Sequence, residues 1–150
     1  MKIESTAFTH EGKIPSKYTC DGENINPALE FSDVPKNAKS LVLIMEDPDV
    51  PKHLRADGMW NHWVVFNIPP ETKGVGENQE PKGVAGITTS NKLKYGGPCP
   101  PDKEHRYFFK LFALDTMLNL QQGSTKEQVL AAIEGHILAE AVLMGKYQRK

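Results

Sequence analysis

The chain has 150 residues, enough for one compact domain with a core of its own, and 39% of them are hydrophobic against 25% charged. Eighteen basic and nineteen acidic side chains leave a formal charge of −1, which argues against a nucleic-acid surface and against a solvating acidic tail. No stretch approaches the roughly 20 apolar residues of a membrane span, and Met1-Lys2-Ile3-Glu4-Ser5 lacks the apolar run of a signal peptide, so the expected location is the cytoplasm.

Eleven prolines and twelve glycines cut the chain into short segments. That punctuation fits a sheet fold with many turns and not a helical bundle. Ser5-Thr6-Ala7-Phe8 reads as an edge strand or extended arm, and Leu29-Glu30-Phe31 as a short alternating strand. Residues 41–46 are continuously apolar up to Glu46, which predicts a central strand covered on both faces. Pro48 and Pro51 end it, because proline cannot donate to a ladder. Residues 63–68 form a strong aromatic and β-branched strand that stops at Pro69-Pro70. Residues 84–89 read as a weaker strand, and 107–114 as a clear one whose apolar run Lys110 interrupts.

One helix is expected, from Ser124 to Gly135. Glu127 follows Ser124 at capping-box spacing, and Val129, Leu130 and Ile133 make an apolar stripe. Gly135 is a natural terminator. The tail from Ile137 can extend the helix or form a last strand. One helix against at least five strands predicts a mostly-β domain spanning residues 1–150, a sandwich or Greek-key sheet.

Cys20 and Cys99 lie too far apart for a CxxC motif. A reducing cytoplasm disfavours a bond between them, so free thiols are expected.

Three strand ends carry hydrogen-bonding side chains. Asp47-Pro48-Asp49 closes the first strong strand. One of its carboxylates can point inward to orient a histidine while the other ties down the loop; the alternative is an Asx turn with both in solvent. His62, between Trp60 and Trp63, is either an oxyanion donor or a partly buried histidine satisfied by a carbonyl. His105 and Tyr107 share a face of an extended chain and can line a pocket. Arg106 faces the other way, to support the loop or pair with an acid. Gly96-Gly97-Pro98-Cys99-Pro100-Pro101 is either a plain crossover or a loop whose glycine N–H groups turn to a ligand.

Other chemistries lack their patterns. The loop has no Gly-Lys-Ser/Thr, so it is not a phosphate loop of a nucleotide hydrolase. The five histidines show no compact metal spacing, and no GxSxG elbow is present. Cys99 and His105 lack a third group to complete a thiol–imidazole pair.

In this order, Asp47-Pro48-Asp49-Val50-Pro51, Asn61-His62-Trp63-Val64-Val65, Gly97-Pro98-Cys99-Pro100-Pro101 and His105-Arg106-Tyr107 resemble the phosphatidylethanolamine-binding protein family, in its bacterial Raf-kinase-inhibitor-like branch. Cys20-Asp21-Gly22, Asn26-Pro27 and the run from Phe109 to Asp115 add to the match, which covers essentially the whole chain. Val50 departs from the alanine of many relatives.

The resemblance implies an antiparallel β-sandwich with a large and a smaller sheet, few helices, and a strand at the tail. It implies an anion pocket lined by Asp47, His62, Pro101, His105 and Tyr107, with Asp49, Trp60 and Gly97 close by. Asp47 would orient a histidine. His62, His105 and nearby N–H groups would donate to the anion, and Tyr107 would add a hydroxyl. Two histidines and one carboxylate would make a weakly cationic, pH-sensitive site.

The expected function is therefore non-enzymatic binding of a phosphorylated small molecule, lipid head group or phosphorylated side chain, with no cofactor. A protein inhibitor of a kinase or protease and a small hydrolase using the same pocket are the alternatives. A homodimer is compatible with the resemblance.

Overall fold

A strand with no polar face must be covered on both sides, and the fold is arranged around one such strand. The computed structural model describes residues 1–149. In chain order its elements are β1 (Lys2–Glu4), a 3-10 turn (Ser16–Tyr18), β2 (Leu29–Ser32), β3 (Ser40–Asp47), β4 (Trp60–Ile68), β5 (Gly74–Val75), β6 (Val84–Ala85), β7 (His105–Leu114), α1 (Lys126–Ile133) and β8 (Ile137–Tyr147). Every residue of β3 is buried. It is the middle strand of a five-stranded antiparallel sheet in the order β6-β4-β3-β7-β8. A smaller antiparallel sheet has the order β1-β2-β5.

Alternation along β3 divides the core in two. Leu41, Leu43 and Met45 join Ile3, Phe31, Trp63 and Phe109 in the cluster between the sheets. Val42 and Ile44 point the other way, to Val64, Phe66, Phe112 and the α1 residues Val129 and Ile133. The protein is thus a mostly-β, two-sheet antiparallel fold, as the sequence predicts.

Several local expectations are corrected. Residues 5–8 are not a strand. The Ser5 hydroxyl donates to Ala28 O and accepts from Ala7 N, which turns the chain out of β1; Phe8 still packs on Phe109. The weak strand at 84–89 shrinks to β6. Gly86 N still donates to Val64 O, but Ile87 N turns away to Ser124 O. The helix cap lies one residue later than expected. Thr125 accepts from Gln128 N while the Gln128 side chain accepts from Thr125 N. Ser124 instead donates its hydroxyl to Gln121 O. Gly135, at a φ of 81°, ends the helical region, and the ambiguous tail is strand β8, paired along nearly all of β7.

Candidate functional site

Antiparallel pairing explains why distant motifs meet. The C-terminal end of β3 lies beside the starts of both β4 and β7, with Asp47 opposite Trp60 and Glu46 opposite Phe108. Asp47, Trp60, His62, His105 and Tyr107 therefore share one end of the large sheet.

His105 is clamped between two carboxylates. Its Nδ1 is 2.6 Å from Asp47 Oδ2 and its Nε2 is 2.6 Å from Asp102 Oδ1. An imidazole that donates from both nitrogens is an imidazolium. Burial opposes that charge, but Asp47 and Asp102 together outweigh it and raise the His105 pKa. The same contact holds the exposed Asp102 carboxyl below its ordinary range. Burial pushes the Asp47 carboxyl up, against the pull of the His105 and Asp49 N–H groups.

The two carboxylates of the Asp-Pro-Asp turn divide the work. Asp47 Oδ1 accepts from Asp49 N at 2.8 Å while its other oxygen holds His105. Asp49 faces away and takes Arg106 in a fork, from Nε at 2.9 Å and Nη2 at 2.8 Å, and also from the Arg106 backbone N–H. The Arg106 fork holds the Asp49 carboxyl low. That planar pairing anchors the turn to the start of β7.

His62 owes its direction to a β-bulge. Met45 pairs with Trp63 and Glu46 with Asn61, so His62 is left without a ladder partner. A bulge re-aims side chains. Trp63 keeps its place in the core between the sheets, and His62, next to it, also turns to that end of the sheet. The imidazole is buried, and its Nδ1 lies 2.8 Å from Gly96 O. A carbonyl can only accept, so Nδ1 carries the proton. Burial then pushes the pKa down to about 4, with the His105 charge adding to the effect, and His62 is neutral at pH 7.

The 96–101 loop forms the opposite wall. Its glycine N–H groups are not turned to a ligand: Gly96 N donates to His62 O and Gly97 N to Asn24 Oδ1. Gly97 is needed for close packing, since a Cβ there would lie 2.3 Å from Tyr18 O. The same wall corrects the expectation of free thiols. Cys20 and Cys99 form a disulfide, with Cα atoms 5.4 Å apart, and Cys20 N donates to Pro98 O. The fold brings together two residues that are 79 apart in sequence.

These walls enclose a cavity of about 380 Å³, within the usual size of a small-molecule site. Asp47, Trp60, His62, Gly97, Pro101, His105 and Tyr107 all line it; Asp49 does not. Val50, Leu54 and Pro100 give its mouth an apolar collar. Tyr107 is fully buried and its hydroxyl has no hydrogen-bond partner. Its ring stacks on His105 and meets the His62 ring edge-on, with centroids 6.4 and 5.4 Å apart. Burial, with the Asp47 charge behind it, keeps the phenol protonated. Larger clefts of about 460 and 500 Å³ elsewhere gather no histidine and no aromatic side chain.

Sequence reasoning missed Asp102, the second partner of His105. The available signal was a carboxylate three residues before the histidine, on a proline-led turn. It also missed the His62 bulge, for which the sequence carries no signal. Among the described residues, no group of three or more His, Cys, Asp or Glu side chains is placed to hold a metal ion. Among the same residues no helix is long and apolar enough to cross a membrane.

The chain is a two-sheet β fold with a cavity of mixed polar and apolar lining at one end of its larger sheet. The chain belongs to the phosphatidylethanolamine-binding protein family, whose profile matches residues 4–148. It is 50% identical over 149 residues to a UPF0098 protein of Chlamydia trachomatis and 52% over 155 residues to one of Methanothermobacter thermautotrophicus, with 99% of both chains covered in each case. The crystal structure of a phosphatidylethanolamine-binding protein homologue from Chlamydia trachomatis superposes with a TM-score of 0.96 at 49% identity, covering 99% of this chain and 97% of that one. Escherichia coli YbcL, described as a member of the mammalian family, gives 0.89 at 28% identity, with 99% and 98% covered. The family is one of binding modules and not of catalysts. Buried polar groups such as the His105–Asp47 pair and Glu46 are consistent with that class.

Proposed function

We propose that this chain is a binding module of the bacterial Raf-kinase-inhibitor-like branch, acting as one domain, and that it holds a phosphate-like anion in the cavity lined by Asp47, His62, Pro101, His105 and Tyr107. One observation carries the reading: two histidines, an unpartnered buried hydroxyl and an apolar collar surround a single small cavity. A phosphorylated small molecule, a lipid head group and a phosphorylated side chain share the chemistry it would recognise. Phenyl phosphate titrated into isotopically labelled protein tests it. Amide shifts should concentrate at residues 47–50, 60–62, 97–101 and 105–107, and calorimetry should show saturable heat without release of phenol. Absence of shifts at millimolar ligand rejects the reading, and steady phenol release replaces it with the hydrolase.

A protein partner such as a kinase or protease is the second reading. It is supported by Leu54, which is 54% exposed at the mouth of the same cavity, beside Pro51. Partner inhibition that survives Leu54→Asp would reject this reading. A cytoplasmic location is also part of the proposal, and the Cys20–Cys99 disulfide weighs against it, because a reducing compartment disfavours such a bond. Alkylation of thiols in intact cells, followed by mass measurement, decides the point.

A further inference from the structure

We propose that the cavity takes its ligand as a singly charged, protonated oxyanion, a phosphomonoester that keeps one P–OH and donates it to His62 Nε2. This rests on the anion-binding reading and narrows it, selecting monoesters over diesters and monoanions over dianions.

The fixed charges come first. Among the side chains that line the cavity only Asp47 and His105 are charged, and none is a lysine or arginine. Asp102 closes on the outer nitrogen of His105. Two carboxylates thus face one imidazolium, and the local sum is negative. A dianion entering such a site meets net repulsion in surroundings where water screens poorly.

The directions of the hydrogen bonds come second. His62 Nδ1 gives its proton to Gly96 O, and no hydrogen bond to Nε2 is formed among the described residues. The ring is buried, and the charged groups facing it are His105 on β7 and Asp47 on β3. Trp60 on its own strand, Tyr107 on β7 and Ser90 bring no charge, and the 96–101 wall contributes the Gly96 carbonyl. A second proton on this ring is disfavoured by burial and by the His105 imidazolium. Nε2 therefore offers a lone pair and no proton. Both His105 N–H groups are already spent on carboxylates. The donor left over is the Tyr107 hydroxyl, which has no partner within hydrogen-bond distance even though the Asp47 carboxylate lies near enough to compete for it.

A ligand that satisfies both groups must donate to His62 and accept from Tyr107 through neighbouring atoms. A phosphomonoester monoanion does so with adjacent oxygens. A dianionic monoester has lost the donor, and a diester never had one.

The test is calorimetric titration of methyl phosphate and dimethyl phosphate into the full-length protein at about pH 5.5 and about pH 7.5, either side of the second phosphate ionisation near 6. Dimethyl phosphate carries one charge and no P–OH at both values, so any titration of the protein itself affects both esters and cancels in their ratio. Methyl phosphate should bind more tightly at the lower pH, and its advantage over dimethyl phosphate should shrink roughly tenfold or more at the higher. Equal binding of the two esters at the lower pH, or an advantage that holds or grows at the higher, overturns the protonated-ligand assignment and leaves the anion site standing. Failure of both esters to bind at either pH overturns the anion reading and this assignment with it. Nitrogen-15 spectra of the His62 ring with methyl phosphate bound give an independent check. A neutral ring protonated at Nδ1 is expected, and an imidazolium signal overturns the proposal.

Discussion

His62 and His105 sit in one cavity and do opposite things. His62 is held by a single carbonyl, and burial drives its pKa to about 4. His105 is held by two carboxylates that raise its pKa in spite of burial. One ring is neutral with an open acceptor; the other is cationic with every donor occupied. Burial alone does not determine a histidine's charge. What decides is whether the nearest partner is a dipole or a full negative charge.

The largest effect that separates the two rings should come from the disulfide. Cys20–Cys99 ties down the wall that carries Gly96 O, the partner of His62, whereas the inner partner of His105 lies on β3. Closing a loop between residues 79 apart is worth about 4 kcal/mol in chain entropy. Reduction should lower the urea midpoint accordingly and broaden the His62 ring signals while leaving those of His105 in place. Equal loss at both rings would mean that the two are not held independently.

The pH dependence of stability should show the opposite signs directly. For His62 the folded pKa is below the unfolded value of about 6.5, so the unfolded chain binds the extra proton. Its stabilisation is complete above about pH 6.5 and falls away as the pH drops towards 4, a loss of up to roughly 3 kcal/mol. For His105 the folded pKa is raised, so its contribution is present below about 6.5 and is lost as the pH climbs through the folded value. Urea melts across this range should give a dome. His62→Phe should flatten the acid side alone, and a variant that flattens both sides would show that the rings titrate as a unit.

Substituting the inner carboxylate sharpens the contrast further. Asp47→Asn keeps the shape but removes the charge on which His105 depends. Hydrogen bonds to charged groups are worth about 1.5–3 kcal/mol, so a loss of about 2 kcal/mol is expected in thermal melts above pH 6. The raised His105 pKa should fall, and the His62 pKa, with a weaker imidazolium beside it, should rise slightly. Proton titration of the two rings by NMR reads both directions.

These contrasts also mark how far the sequence can be read. The continuous run at 41–46 reveals a strand covered on both faces, because such a pattern has no other stable placement. The motifs at 47–49, 61–63 and 105–107 are legible as strand ends, and antiparallel pairing then leaves few ways to keep them apart. Charge states are not legible. The His62 bulge depends on a register shift against Met45 and Glu46, and the Gly96 carbonyl reaches the ring from 34 residues away. The disulfide is hidden for a similar reason, since the approach of Cys20 to Cys99 follows from loop packing around Gly97 and Tyr18. Glu46, next to Asp47, shows how easily neighbours diverge. It points to the helix side and takes Lys110 and Lys126 at 3.3 and 3.4 Å, forming an ion cluster away from the cavity.

The smallest expected effect tests whether His105 is a reserve donor. Asp102 is half-exposed, on the turn before β7, and its carboxylate occupies the His105 Nε2–H, a donor that could otherwise supplement the Tyr107 hydroxyl. It acts as an internal competitor for that N–H. Asp102→Ala should cost little stability, because the carboxylate is half in water and Asp47 still holds the imidazolium. It should release the Nε2–H and remove one negative charge from beside His105, which lines the cavity. The affinity for methyl phosphate should then rise by roughly tenfold, equivalent to about 1.4 kcal/mol, and the penalty against the dianion should shrink. Asp102→Asn should give a smaller gain, since its amide oxygen still accepts from His105. Calorimetry on the three proteins at one pH measures the series. An affinity that falls when Asp102 is removed would mean that the carboxylate positions His105 for the ligand and does not stand in the ligand's place.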